Sequence, residues 1–439
     1  MTTTEEDLHE DVNPSRQRLA LGLAVLVTVP GVALRIGDGH LADPLAALLF
    51  GLAIVGAAFL LSWAAEVAQL DISAGMAIAL LAFIAVLPEY AVDLVFAIKG
   101  GNAFEQTGRE CLAPGGGESP CGLALANMTG ANRLLIGVGW SVVGFIAYRQ
   151  WKKRGLADRG REIRLERSHS VELAFLVVAT MYSLTLPMKR SITLFDAGVL
   201  VTIFVVYTVR ISRAPAEEPH LVGPARWVGC FGVRNRRLTV AALFLFAASV
   251  ILLCAEHFAE ALVASGHSLG VSEFLLVQWL APLASEAPEL LVACLYAWRL
   301  NTNAALGTLV SSKVNQWTLL VGTLPIAFAV ASGGTHGLPI VGNQREELFL
   351  TASQSAFAVS ILVNLSMSLK EAGLLFVLFM VQFVAGAVGP QSIHDEVRIA
   401  TGVVYLGLAA ALLFRSRKQV PVLLNDGFRT SYAVMSAEG

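Results

Sequence analysis

The sequence predicts an all-α polytopic membrane protein of about twelve transmembrane helices, arranged as two inverted five-helix repeats with one extra helix at each end. Composition is the first reason. The 439 residues are 55% hydrophobic and only 15% charged, with a mean hydropathy of +0.66, whereas a soluble domain carries about 25% charged residues. Apolar runs long enough to cross a bilayer recur from end to end. The third reason is a duplication: Leu87-Pro88-Glu89 and Ala287-Pro288-Glu289 each put Pro-Glu in the middle of such a run. A carboxylate beside a proline in bilayer-length apolar sequence is costly twice, for the charge and for the broken backbone ladder. Its recurrence in matching places is the pattern of a membrane transporter built from an internal repeat.

Residues 1–17 are polar and acidic, lack the basic start and small-residue cleavage site of a secretory signal, and are expected to form a disordered cytoplasmic tail. Spans are expected near 18–35, 44–65, 72–98, 122–147, 170–187, 191–211, 238–264, 271–298, 303–331, 347–367, 371–389 and 398–414. Several exceed twenty residues, which allows tilt or a mid-membrane break. Residues 18–211 form the N-terminal membrane half, with the first repeat at about 72–147. Residues 212–237, with Pro215, Pro219 and Pro224, form a cytoplasmic linker. The C-terminal half is 238–414, with the second repeat at about 271–331, and 415–439 is a cytoplasmic tail. Spans two to six and seven to eleven make the two halves; the first and twelfth are additions.

Lysine and arginine set the orientation. With twelve spans, 22 of the 31 basic residues fall on one face, chiefly in the 148–169 and 212–237 connections, and seven on the other; Arg133 and Lys313 lie within spans. The richer face is read as cytoplasmic, so both termini are cytoplasmic, and the membrane is expected to be the plasma (inner) membrane. The third span then runs inside to out and the eighth outside to in, so the repeats are inverted and meet at the midplane. The offset between them falls from 200 at Glu89/Glu289 to 181 at Asn132/Lys313, because the first repeat carries an insertion of about nineteen residues. Cys111 and Cys121 flank its Gly115-Gly116-Gly117 in a loop placed outside; a disulfide and two free thiols are equally open there.

Chemistry concentrates at the repeats. Glu89 and Asp93 are spaced i, i+4, and Glu286 and Glu289 i, i+3, so each pair shares one helix face. Each ionised group at a helix centre costs about 2.5–3.5 kcal/mol, so four together cost roughly 10 kcal/mol or more unless protonated, paired or bound to cations. Pro88 and Pro288 each free a backbone carbonyl one turn earlier, near residues 84 and 284, and such carbonyls beside a carboxylate are hard-cation ligands. The bland alternative for the carboxylates is a buried ion pair that only locks helices.

These segments, with the Gly-punctuated runs that follow them (Asn127, Gly130 to Asn132; Gly307, Ser311 to Lys313), resemble the alpha repeats of the sodium/calcium exchanger family, within the wider cation/calcium exchanger superfamily. That family carries G-T-S-x-P-E on one helix and G-N-x-x-G-S-N-x-x-N on the next. The resemblance implies two inverted five-helix halves, ions held midway between the four repeat helices, and cation exchange by alternating access. In the first repeat Glu89, Asn127, Gly130 and Asn132 match, whereas Ala85, Val86, Ala131 and Leu135 stand at ligand positions, so this half is badly eroded. Asp93 is an extra carboxylate. In the second repeat Ser285, Glu289 and Ser312 match, Gln316 stands where an Asn or Asp is usual, and Glu286 replaces a hydroxyl. Lys313 replaces the Asn of G-S-N, and Arg133 is a second basic group on the equivalent helix.

The expected cation site is therefore Glu89, Glu289, Asp93, Glu286, Ser285, Ser312 and Gln316, with Lys313, Asn132, Asn127 and Arg133 modulating it. Ionised throughout, the four carboxylates and two basic groups leave −2, and a buried Lys313 is a tethered cation able to couple the site to pH. The function expected is secondary antiport of calcium or another cation against sodium or protons, with fewer ions per cycle than in the relatives. Alternatives are a sodium/proton antiporter and, in a different class, a non-transporting receptor or intramembrane enzyme. No basic tract suggests nucleic acid, and no Walker, His-Glu-x-x-His or Gly-x-Ser-x-Gly motif suggests ATP-driven transport or an enzyme. No cofactor is expected; the partners are inorganic cations and the lipid bilayer.

Overall fold

In a computed structural model of the chain, described for residues 14–37, 41–71, 87–107, 111, 118–155, 162–214, 221, 223–389 and 393–437, helices account for nearly everything. They are α1 (Pro14–Ile36), α2 (Asp43–Ala68), α3 (Leu87–Thr107), α4 (Pro120–Lys153), α5 (Ser170–Ser183), α6 (Leu194–Ile211), the short α7 (Pro224–Gly229), α8 (Val233–Leu269) and α9 (Glu273–Trp298). Then come α10 (Thr302–Ala331), α11 (Gln344–Leu362), α12 (Leu369–Val388), α13 (His394–Arg415), α14 (Gln419–Phe428) and α15 (Tyr432–Ala437). Ten of the helices among the described residues are long and apolar enough to cross a membrane. The other two expected spans coincide with α3 and α11; the first half of the third, residues 72–86 with Ala85 and Val86, lies outside the described residues.

The helices end for local reasons. Thr193 and Asp196 form a capping box at the start of α6, as do Ser368 and Glu371 at the start of α12. Gly270 stops α8 in the left-handed conformation that only glycine adopts cheaply. Both α4 and α10 pass through a π-helical turn, over Leu135–Trp140 and Gln316–Leu320. These turns start 181 residues apart, the same offset that relates Asn132 to Lys313.

Three features depart from the expectation. The loops carry short strands, β1 (Glu162–Arg164), β2 (Ser191–Ile192), β3 (Leu338–Pro339) and β4 (Ser366–Ser368), because two-residue and three-residue extended runs pair across the helix ends. Strand β1 pairs antiparallel with β4, and β2 with β3. Each pair thus joins a loop of the N-terminal half to a loop of the C-terminal half. The expected linker contains α7 and the first turn of α8, which leaves Pro215 and Pro219 outside the described residues. The 415–439 segment is helical and docked: Asp426 of α14 accepts two hydrogen bonds from Arg167, at 2.7 and 2.9 Å, and Arg210 donates to the carbonyls of Gly427 and Thr430. Cys111 and Cys121 are disulfide-bonded, tying the loop to the start of α4.

Candidate functional site

The site forms where α3, α4, α9 and α10 pass one another. Pro282 and Pro288 lie inside α9, so the Gln278 and Ala284 carbonyls lose their helical N–H donors. Gly130 of α4 lies against the Gln278 carbonyl so closely that a Cβ there would overlap its oxygen. This approach brings α4 and its polar face against the carboxylates of α9.

Gln316, the first residue of the π turn in α10, stands at the centre. Its amide nitrogen donates to Glu89 Oε1 at 3.1 Å and to Glu286 Oε1 at 2.8 Å. The two carboxylate oxygens are therefore within about 6 Å of each other, and Glu286 and Gln316 are wholly buried. Asp93, one turn beyond Glu89, is also buried and accepts from the Asn127 side-chain amide at 2.6 Å. Glu289 is different: it lines a cavity of about 490 Å³ together with Ser285, Ser312 and Asn315. The Ser285 hydroxyl donates back to the carbonyls of Ala281 and Pro282, at 3.2 and 3.3 Å.

The basic residues divide. Lys313 is buried and donates to the Asn132 carbonyl at 2.8 Å and to its Oδ1 at 2.6 Å, with the Trp317 ring 5.3 Å away. Arg133 turns away from the carboxylates of the repeats. It pairs with Glu347 of α11 at 2.5 Å, donates to Gln382 of α12 at 2.7 Å and lies 5.0 Å over Trp279. Glu347 in turn pairs with Arg398 of α13 at 2.5 Å. Arg133, expected to modulate the ion site, is thus held by a buried carboxylate that the sequence expectation did not include.

Several buried oxygens around this centre have no hydrogen-bond partner among the described residues: Glu89 Oε2, Asp93 Oδ2, Asn127 Oδ1, Glu286 Oε2, Glu289 Oε2, Asn315 Oδ1 and Gln316 Oε1. Buried polar atoms without partners are costly, and a set made only of carboxylate and amide oxygens suits hard cations. Among the described residues no three carboxylate, histidine or cysteine side chains converge to enclose a metal ion by themselves. Amide and hydroxyl oxygens would have to share in holding a cation in this arrangement.

The cavity reaches from Glu289 to one end of the bundle. Its walls include Glu66 and Gln69 at the end of α2, Tyr296 at the end of α9, Ile211 at the end of α6, and His169 and Glu172 at the start of α5. Glu66, Asn315, Glu172 and Tyr207 of this lining are not among the residues expected from the sequence. The i, i+4 spacing of Ser311 and Asn315 was the available signal, since it puts two polar groups on one face of α10. Glu260, near the end of α8, is an exposed partner of Lys99 at 2.7 Å.

The family model described as sodium/calcium exchanger protein matches residues 44–212 and 239–418. The chain is 39% identical to a protein whose crystal structure is described as the H+/Ca2+ exchanger CAX, over 96% of this chain and 99% of that one, with a TM-score of 0.84. The structure of native YfkE superposes over 88% of this chain and 100% of that one at 13% identity and a TM-score of 0.57. Selenium-substituted YfkE, described as a Ca2+/H+ antiporter protein, covers 89% of this chain and 99% of its own at 16% identity and a TM-score of 0.55; these two likenesses concern the fold alone. No curated protein matches the chain.

Proposed function

The chain belongs to the sodium/calcium exchanger family, and from that premise we propose that it is a secondary active antiporter moving calcium across the membrane against protons by alternating access. The observation that carries the reading is the buried pair Glu89 and Glu286 sharing one Gln316 amide, beside a cavity-facing Glu289. Carboxylates this close in a membrane interior need a neutralising cation, and a proton or a divalent metal ion serves equally. Calcium as cargo is supported by the 39% identity to a protein described as an H+/Ca2+ exchanger. Protons as the counter-ion follow from what the first repeat lacks. A sodium ion needs a shell of several oxygens, but Ala131 and Leu135 offer none at the family's ligand positions. A proton needs one carboxylate oxygen.

The proposed ligands are Glu89, Glu289, Asp93, Glu286, Ser285, Ser312 and Gln316, joined by Asn315; Lys313, Asn132 and Asn127 position them. The layout is two inverted five-helix halves in a twelve-helix bundle. Its support is the 181-residue offset of the π turns, the capping boxes that open α6 and α12, and the strand pairs that each join one half to the other. The excess of basic residues puts the open end of the cavity on the cytoplasmic side, so this conformation faces inward.

Proteoliposomes carrying a calcium dye and a pH dye test the reading. Calcium movement is expected to be matched by opposite proton movement and to vanish in Glu89→Gln and Glu289→Gln, both still folded. Wild-type flux in those variants would overturn the site. Calcium uptake driven by sodium without proton movement would overturn the counter-ion.

A further inference from the structure

The wall of the inward cavity carries charge that the central site does not use. Glu172, in the first turn of α5, is 8% exposed and lines the cavity. One of its oxygens lies 3.4 Å from His169 Nδ1; the other has no hydrogen-bond partner among the described residues. Thr208 Oγ1, on the α6 wall, is likewise buried without a partner among the described residues. Tyr207 and Ser311 join their hydroxyls at 3.0 Å on the same wall, between α6 and α10. Helix α5 supplies no side chain to the hydrogen bonds that join Glu89, Glu286 and Gln316, so those bonds do not explain Glu172.

The cavity opens on the face that holds most of the protein's basic residues, yet no lysine or arginine lines it among the described residues. Its ionisable lining is Glu66, Glu172, Glu289, His169 and two tyrosines. Two arginines near its mouth are held elsewhere, Arg167 by Asp426 and Arg210 by carbonyls of the docked C-terminal segment. A cleft whose carboxylates outnumber its basic groups raises the local concentration of cations. A buried carboxylate with a bare oxygen inside such a cleft is a place for a cation to rest.

We propose that Glu172, with the hydroxyls of Thr208 and the Tyr207–Ser311 pair, forms a second divalent-cation site in the vestibule, where calcium is held on its way to or from Glu289. The assignment rests on the proposed calcium transport, but it makes a separate demand: calcium binds this chain at a position that survives loss of the central carboxylate.

The test combines equilibrium binding of radioactive calcium to the purified protein with uptake into proteoliposomes. Glu289→Gln is expected to retain one weak calcium site, and Glu172→Gln/Glu289→Gln to lose it. In uptake, Glu172→Gln is expected to raise KM for calcium by about fivefold with little change in maximal rate, the signature of lost local concentration. Glu172→Asp, which keeps the charge, is expected to restore KM, and thermal midpoints establish that each variant is folded. An active Glu172→Gln protein with wild-type KM, or a double variant that still binds calcium as Glu289→Gln does, overturns the vestibule site and leaves the transport reading standing. A wild-type protein that neither binds nor carries calcium overturns both.

Discussion

Replacing Glu347 by glutamine removes one negative charge from between two buried guanidinium groups. Glu347 pairs with Arg133 and with Arg398, each at 2.5 Å, and its side chain is 1% exposed. Arg398 keeps Asp395 at 2.7 Å, but that carboxylate is 59% exposed, and an exposed pair contributes less than about 1 kcal/mol. Arg133 keeps the Gln382 amide oxygen and the face of Trp279, neither of them charged. Breaking a buried pair by removing one partner costs about 3–5 kcal/mol, because the remaining charge stays desolvated; Glu347→Gln is expected to fall in that range. Removing all three charges together, as Arg133→Met/Glu347→Leu/Arg398→Met, leaves no orphan and is expected to recover stability to within about 1–2 kcal/mol of wild type. Unfolding in mixed micelles of rising SDS content, followed by circular dichroism, measures both. A Glu347→Gln protein within about 1 kcal/mol of wild type would refute the reasoning, as would a triple variant no more stable than the single one. Glu347 lies in the first turn of α11, at the end of the bundle away from Tyr296 and the cavity mouth. The triad therefore ties α4, α11 and α13 together.

Two further outcomes follow from the packing. Gly130→Ala places a methyl group on the Gln278 carbonyl oxygen; overpacking of this kind costs about 1–3 kcal/mol or more, and a lowered thermal midpoint with lost exchange is expected, whereas an alanine variant with wild-type midpoint and flux would show that α4 and α9 do not meet so closely. The Arg167 hydrogen bonds hold the Asp426 carboxyl below the ordinary aspartate value of 3.8. A depressed carboxyl stabilises the docked C-terminal segment at every pH above that value and stops doing so as pH falls through its lowered one. Amide protection factors over 419–428, taken against the intrinsic exchange rate at each pH, should thus stay high at neutral pH and fall only below about pH 4, while Arg167→Gln should lower them already at pH 7; equal protection in that variant would count against the contact.

The bilayer-spanning helices were legible because hydropathy depends only on local composition. The paired Pro-Glu segments were legible because a carboxylate beside a proline is too costly to recur without use. What could not be read were partners fixed by tertiary contact. Arg133 follows Asn132 directly, and that adjacency drew it into the ion site. Successive residues on an α-helix point about 100° apart, so Asn132 faces Lys313 while Arg133 faces Glu347, which is 214 positions away in sequence. Gln316 was read as one ligand among several; its role as the amide joining Glu89 to Glu286 depends on two helices from different halves. The C-terminal segment was read as a tail because its charges dominate its ends, although Val420, Val422, Leu423 and Leu424 already offered an apolar run to dock.

Asn132 and Lys313 occupy equivalent positions in the two repeats, and they touch. Contact between equivalent positions is what a two-fold axis between the halves produces, so any change at one is felt directly by its own counterpart. Two lysines there would repel inside the membrane. One lysine and one asparagine are complementary, since the ammonium has only donors and the asparagine presents two carbonyl oxygens, both of which it uses. The same division runs outward from the axis. Glu89 is enclosed and tied to Gln316, while Glu289 opens onto the vestibule. The enclosed pair takes one carboxylate from each repeat segment, Glu89 and Glu286, whereas Glu289 of the second lines the cavity. Under the proposed exchange of calcium for protons, the cavity-facing Glu289 is the carboxylate to receive either ion, and the enclosed pair sets how much positive charge the site must hold.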